Sequence, residues 1–144
     1  MVQLAGSSEV YILDPDSKRI ATAQKEHPNL KTCVSGSESI PYENGFFDKA
    51  YSTLAVHHFT DQEKSFREIG RVLKPGGTLV IVDINPKSLL GGVVRFFEKT
   101  IMRAHLHFLK LEELVAMLGN MEGLVVRESQ EGGPGYFVLA VKIP

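Results

Sequence analysis

The stretch Arg71-Val72-Leu73-Lys74-Pro75-Gly76-Gly77-Thr78-Leu79-Val80-Ile81-Val82-Asp83 (residues 71–83, RVLKPGGTLVIVD) decides the fold. It closes a run in which Phe66, Ile69, Val72 and Leu73 recur at helical spacing on one face. Lys74-Pro75-Gly76-Gly77 then stops the helix, because proline cannot continue it and glycine accepts a positive φ. Residues 78–82 (TLVIV) are apolar or β-branched without interruption, which suits a strand covered on both faces in a parallel sheet. Asp83 follows at the carboxyl end of that strand. Upstream, Thr60 and Glu63 have the spacing of a capping box, so the helix is expected to begin at Thr60.

Outward from this helix–strand unit the same alternation repeats. Residues 10–13 (VYIL), closed by Asp14-Pro15, read as a buried strand, and Asp16 or Ser17 caps a helix through Glu26. Lys31–Val34 is a second strand, residues 35–39 a small polar loop, residues 41–45 (PYENG) a turn, and Phe47–Thr53 a third strand. Beyond Asp83, residues 87–104 carry Leu90, Val93, Val94, Phe97 and Ile101 at helical spacing, and residues 111–118 form a further helix stopped by Gly119-Asn120. Residues 124–127 and 136–141 are two last strands. The glycine-rich turn between them, Gly132-Gly133-Pro134-Gly135, makes an antiparallel hairpin. The sum is six strands in an α/β layer fold, one domain over residues 1–144.

Composition bounds the function. The 144 residues are 43% hydrophobic and 23% charged, a soluble balance, and the net charge of −1 lacks the basic excess of a general nucleic-acid or membrane-surface binder. With no secretory leader pattern and no run of ~20 apolar residues, the expected location is cytoplasmic. The single cysteine, Cys33, fits a reducing compartment and a packing role on a strand. His57, His58, His105 and His107 show no metal-ligand spacing, so no metal is expected. Dinucleotide, short-chain dehydrogenase, α/β-hydrolase and phosphate-loop signatures are absent.

In an open α/β sheet, ligands bind at the carboxyl ends of the strands. Asp14 ends the first of these strands, and its carboxylate can accept two hydrogen bonds from a ribose, although it is equally suited to capping the next helix. The loop Gly36-Ser37-Glu38-Ser39 follows the second strand and can meet an adenine edge, and His57 and His58 follow the third, where either can act as a base. The three arrive in the right order for one nucleoside.

That order resembles the class I S-adenosylmethionine-dependent methyltransferases. Residues 11–18 (YILDPDSK) resemble their second strand and acidic turn. Residues 35–41 (SGSESIP) followed by 46–52 (FFDKAYS) resemble the adenine loop and the next strand. Residues 56–59 (VHHF), 66–69 (FREI) and 71–77 (RVLKPGG) resemble the type 11 pattern. The match runs over residues 10–83, with a looser match through the terminal hairpin. It implies a Rossmann-like sheet, mostly parallel, with a C-terminal antiparallel hairpin, and S-adenosylmethionine as cofactor. It also implies Asp14 and Pro15 at the ribose, Ser37 and Glu38 beside the adenine, Thr53 and Leu54 lining the cofactor cleft, and His57 on the substrate side. Ser37 stands where the family often has aspartate.

The larger departure is at the start. The family's first strand and its GxGxG loop should precede Val10, yet only Gly6 lies among the nine residues there, and residues 3–5 read as the tail of a first helix. In that loop, glycine lets backbone amides approach the methionyl carboxylate. The missing strand is also central in the sheet, so its loss leaves a gap one strand wide. The chain could be part of a longer enzyme, the flanking strands could pair directly, or a homo-oligomer or partner chain could complete the sheet. The expected function is methyl transfer to a small, partly apolar acceptor. The resemblance places the apolar segment at residues 88–108 (Leu89, Leu90, Val93, Val94, Phe96, Phe97, Ile101, Met102) where the family has part of its substrate lid, the alternative being a core helix. His57 or His58 is the candidate base, the alternative being a structural role at the start of the next helix. The alternative is a non-catalytic regulatory or assembly module of the same fold.

Overall fold

The computed structural model describes residues 1–6, 9–88, 92, 93, 96 and 107–144. The elements are β1 (Val2–Gly6), β2 (Glu9–Asp14), α1 (Ser17–Glu26), β3 (Lys31–Val34), β4 (Phe47–Thr53), a short 3-10 turn (Val56–His58), α2 (Gln62–Val72), β5 (Leu73–Ile84), α3 (Leu111–Gly119), β6 (Leu124–Gly132) and β7 (Gly135–Lys142). They build one seven-stranded sheet in the order β3-β2-β1-β4-β5-β7-β6. β2 pairs parallel with β3 and β4 with β5, while β7 runs antiparallel to both β5 and β6. The Rossmann-like sheet with its terminal hairpin is therefore as expected.

The expected gap is not there. β1 lies between β2 and β4 and runs antiparallel to both, with Leu4 opposite Tyr11 on one side and Ala50 on the other. Residues 3–5 are thus strand, not the tail of a helix, and the sheet has seven strands rather than six. The physical reason is alternation: Val2 and Leu4 are 2% and 0% exposed while Gln3 faces out, so one pleat face of five residues covers the core. The same five residues also satisfy the inner edges of β2 and β4, which would otherwise carry unpaired backbone groups. Within the chain itself the sheet runs without a break from β3 to β6.

The core lies on one side of the sheet. Leu4, Ala50, Leu79, Ile81, Val138 and Ala140 pack there against Phe66, Ile69 and Val72 of α2 and Leu114 and Leu118 of α3. No helix among the described residues is long and apolar enough to cross a membrane. The helix predicted over residues 87–104, and most of the lid segment 88–108, lie outside the described residues.

Local chemistry sets the element ends. Asp16 caps α1 by accepting from the Lys18 amide (2.8 Å). α2 is capped by Asp61, which accepts from the Lys64 amide (2.9 Å), so the expected Thr60–Glu63 box does not form. The reason is tertiary: Glu38 Oε1 already takes the amides of Thr60 (2.9 Å) and Asp61 (3.3 Å) from a loop 22 residues away. Lys74-Pro75-Gly76-Gly77 does stop α2, with Gly76 at φ +83°. The β4–β5 register jumps from Phe47–Leu73 to Lys49–Thr78, so the motif is looped out within β5. Gly77 is required by close approach: a Cβ there would stand 2.8 Å from the Lys74 carbonyl oxygen and 3.0 Å from that of Asp48. β6 extends to Gly132, beyond the expected Arg127, because an exposed edge strand is held by its ladder to β7 and needs no apolar pattern.

One ion pair ties α2 to the turn before β4. Glu68 accepts from Arg71 Nε (2.7 Å) and Nη2 (2.8 Å) and from the Ile40 amide (3.0 Å), and Arg71 also donates to the carbonyls of Ile40 and Tyr42. The Arg71 guanidinium holds the Glu68 carboxyl below the usual glutamate range, against the smaller opposing effect of burial. A lowered folded value means that this stabilisation is present above the ordinary glutamate pKa of about 4.3 and is lost as pH falls through the folded value. Glu68→Gln should cost about 1–2 kcal/mol at pH 7 in urea denaturation. The difference from wild type should shrink below about pH 4; a difference independent of pH would refute the assignment.

Candidate functional site

Asp14 sits at the carboxyl end of β2, 3% exposed. Its Oδ1 accepts from the Asp16 amide (2.8 Å), which is the capping role considered above. Its Oδ2 faces only cations: the Met1 amine at 3.5 Å and Arg19 Nη1 at 3.8 Å. One oxygen is thus held by the turn, and the other lies at ion-pair distance from two cations.

Asp14, Pro15, Ser37, Glu38 and His58 line one cavity of about 150 Å³, with Met1, Val2, Arg19 and Phe59 completing it. The sequence order has become a place. Ser37 is buried and its Oγ lies 2.9 Å from Ser65 Oγ. Ser65 Oγ itself donates to the Asp61 carbonyl (2.8 Å), so Ser37 is the donor to Ser65 and keeps its lone pairs as acceptors. Glu38 has one carboxylate oxygen committed to the start of α2.

Thr53 and Leu54 do not join this cavity. Thr53 is exposed at the end of β4. Leu54 has φ +49°, the one non-glycine residue at positive φ among those described, a conformation costing roughly 1–2 kcal/mol. It turns the chain off β4, held by a 2.8 Å hydrogen bond from its amide to the Val82 carbonyl. Leu54 lines a second cavity, about 700 Å³, with Val82, Asp83, Ile84, Tyr136 and Phe137.

Asp83, which borders that second cavity, forms with His57 a dyad that sequence reasoning had not assembled. His57 and Asp83 are 3% and 2% exposed, and His57 Nδ1 lies 2.6 Å from Asp83 Oδ1. Asp83 also accepts from the backbone amides of Ile84 (2.7 Å) and His57 (3.3 Å). A carboxylate only accepts, so Nδ1 carries the proton and Nε2 is left as the acceptor. Phe108 stacks flat on the imidazole, 4.8 Å between centroids and 9° between planes. Tyr136 is opposite Asp83 in the β5–β7 ladder, and burial, followed by the Asp83 charge, pushes its hydroxyl up, so it stays protonated. His58 is exposed beside the Asp14 cavity. Asp83 at a strand's carboxyl end was the signal available for this dyad; its pairing with His57, 26 residues away, was not visible in order alone.

Among the described residues no group of three or more His, Cys, Asp or Glu could hold a metal ion. The polar hollow between α2 and residues 120–124, about 760 Å³, lies at the amino ends of β4, β5 and β6, the wrong end for a ligand of this architecture.

Residues 1–81 match the methyltransferase domain family. The chain belongs to that family. It is 30% identical over 95 residues to the demethylmenaquinone methyltransferase of Thermotoga maritima, covering 64% of this chain and 42% of that one. It is 32% identical over 86 residues to the 2-methyl-6-phytyl-1,4-hydroquinone methyltransferase of Synechocystis, covering 60% and 27%. The chain thus matches less than half the length of these relatives. In fold it is similar to an S-adenosylmethionine-dependent methyltransferase from Mesorhizobium loti, with TM-score 0.80 at 20% identity, covering 95% of this methyltransferase-family chain and 82% of that one.

Proposed function

We propose that this chain binds the adenosine of S-adenosylmethionine at Asp14 and transfers its methyl group to a small, partly apolar acceptor, a quinol-type ring being the first choice. The observation that carries the reading is the buried Asp14 carboxylate, with Oδ2 uncommitted to a hydrogen bond, in the cavity shared with Ser37 and Glu38. The adenosine end fits this donor set: Asp14 Oδ2 accepts from the ribose hydroxyls, and Ser37 Oγ accepts from an adenine amino group. Bound there, the cofactor supplies a methyl group already activated on a sulfonium sulfur.

The protein's share is orientation and one proton. His57, tautomer held by Asp83, takes a proton at Nε2 from the acceptor hydroxyl or acidic carbon, and the Asp83 charge stabilises the imidazolium that results. Tyr136, kept protonated, supplies a donor rather than a base. Leu54, Val82, Ile84 and Phe137 offer the apolar wall for the acceptor ring. The names of the two relatives above support a quinone or hydroquinone as the acceptor to try first.

Calorimetric titration with S-adenosylhomocysteine tests the reading. Wild type should bind at about micromolar strength, and Asp14→Ala should weaken binding by about 1–3 kcal/mol, the scale of a charge-assisted hydrogen bond. Unchanged affinity in a folded variant would remove Asp14 from the site.

A further inference from the structure

We propose that Ser65 is a positioning residue of the Asp14 cavity: acting through Ser37, it makes the cavity select a purine with an amino group at C6 over one with an oxo group there. The proposal rests on the adenosine reading above and supplies the selectivity of that same site.

A relay of two hydroxyls runs from α2 to the cavity. Ser65 lies on the inner side of α2 and is 0% exposed, so water does not reach its hydroxyl. Its Oγ donates to the Asp61 carbonyl one turn back (2.8 Å) and accepts from Ser37 Oγ (2.9 Å), which comes from the loop after β3. Ser37 is itself buried and lines the cavity with Asp14 and Glu38. A hydroxyl has one proton and two lone pairs. With its proton committed to Ser65, Ser37 offers a ligand only lone pairs. A C6 amino group donates to such an atom. A C6 oxo group is an acceptor and meets it lone pair to lone pair.

Ser37 can donate to an oxo purine only after both hydroxyls turn over. Ser37 then points its proton into the cavity and Ser65 donates to Ser37. The Asp61 carbonyl loses the Ser65 hydroxyl and keeps only the Ser65 amide (2.9 Å). The amino purine therefore retains one hydrogen bond more than the oxo purine, a difference of roughly fivefold in affinity. Ser65 stands behind Ser37 rather than in the cavity lining, so it acts by fixing which way the Ser37 proton points. Glu38 shares the cavity, and its carboxylate accepts only, which favours the same base. The share of Ser65 is thus the change in selectivity when its hydroxyl is removed.

The measurement is calorimetric titration of the intact chain with S-adenosylhomocysteine and with S-inosylhomocysteine, its C6-oxo counterpart. Wild type should bind the adenosyl ligand at least about fivefold more tightly than the inosyl one. Ser65→Ala places the best helix former inside α2, so the variant should fold. It frees the Ser37 proton, and the ratio of the two dissociation constants should fall by about fivefold. Ser65→Thr, which keeps the hydroxyl, should keep the ratio. An unchanged ratio in folded Ser65→Ala, or equal binding of the two ligands by wild type, overturns the proposal while leaving the adenosine reading intact. Binding of neither ligand by the folded chain overturns both.

Discussion

Replacing Leu4 by proline leaves no cooperatively folded protein. Leu4 is fully buried at the middle of β1, facing Tyr11 of β2 and Ala50 of β4. Proline removes a ladder donor in a strand paired on both sides and clashes with its neighbours, at a cost of roughly 3 kcal/mol or more. Loss of the leucine side chain from the core adds about 2–5 kcal/mol. Together these consume most of the 5–15 kcal/mol that a domain possesses. Leu4→Ala is the milder companion: it should fold, destabilised by about 2–5 kcal/mol in urea denaturation. Gln3→Ala, on the exposed face, should fall within about 0.5 kcal/mol of wild type. The three variants separate a central strand from a loose end. If residues 3–5 were the frayed tail of a helix, all three would be nearly silent, and a stable Leu4→Pro protein would refute the place of β1.

Asp83→Ala should cost about 3–5 kcal/mol, because it breaks a buried pair and strands the groups that remain. The carboxylate serves His57 Nδ1, the His57 amide and the Ile84 amide, all in a site 2–3% exposed. A loss below about 1 kcal/mol would mean that water or another acceptor replaces it. Asp83→Asn separates stability from chemistry. The amide retains volume and one acceptor but loses the charge that stabilises an imidazolium. If His57 is the base, methyl transfer should fall by about 10²–10⁴, while nucleoside binding at Asp14 stays unchanged. An asparagine variant with undiminished turnover would leave the dyad a purely structural feature.

Legibility differed by element. The helix–strand unit around residues 62–84 could be read directly because two periods, near 3.6 and then a continuous apolar run, meet at proline and glycine. Asp14, Ser37, Glu38 and His58 were found by their positions at strand ends, and the structure places them around one cavity. Thr53 and Leu54 were named from the same logic, but neither lines the Asp14 cavity; Leu54, at positive φ and bonded to the Val82 carbonyl of β5, borders the second one. The Thr60–Glu63 box was a sound local pattern overridden by Glu38, whose carboxylate reaches the same amides from elsewhere.

From β2 to the end of β5 and again over α3 and the terminal hairpin, the sequence by itself determined the strands and helices, the turns between them, and which polar residues stand at the ligand edge. Those properties are local: they depend on side-chain period, on proline and glycine, and on a residue's place within its own element. What the tertiary structure alone decided was the direction of β1 and the partner of His57. Alternation of Val2, Gln3 and Leu4 is the same read forwards or backwards, so nothing in five residues states whether a strand runs with or against its neighbours. Once residues 2–6 pair with β2, the two residues between them are too few for a parallel crossover, so β1 must run antiparallel to β2.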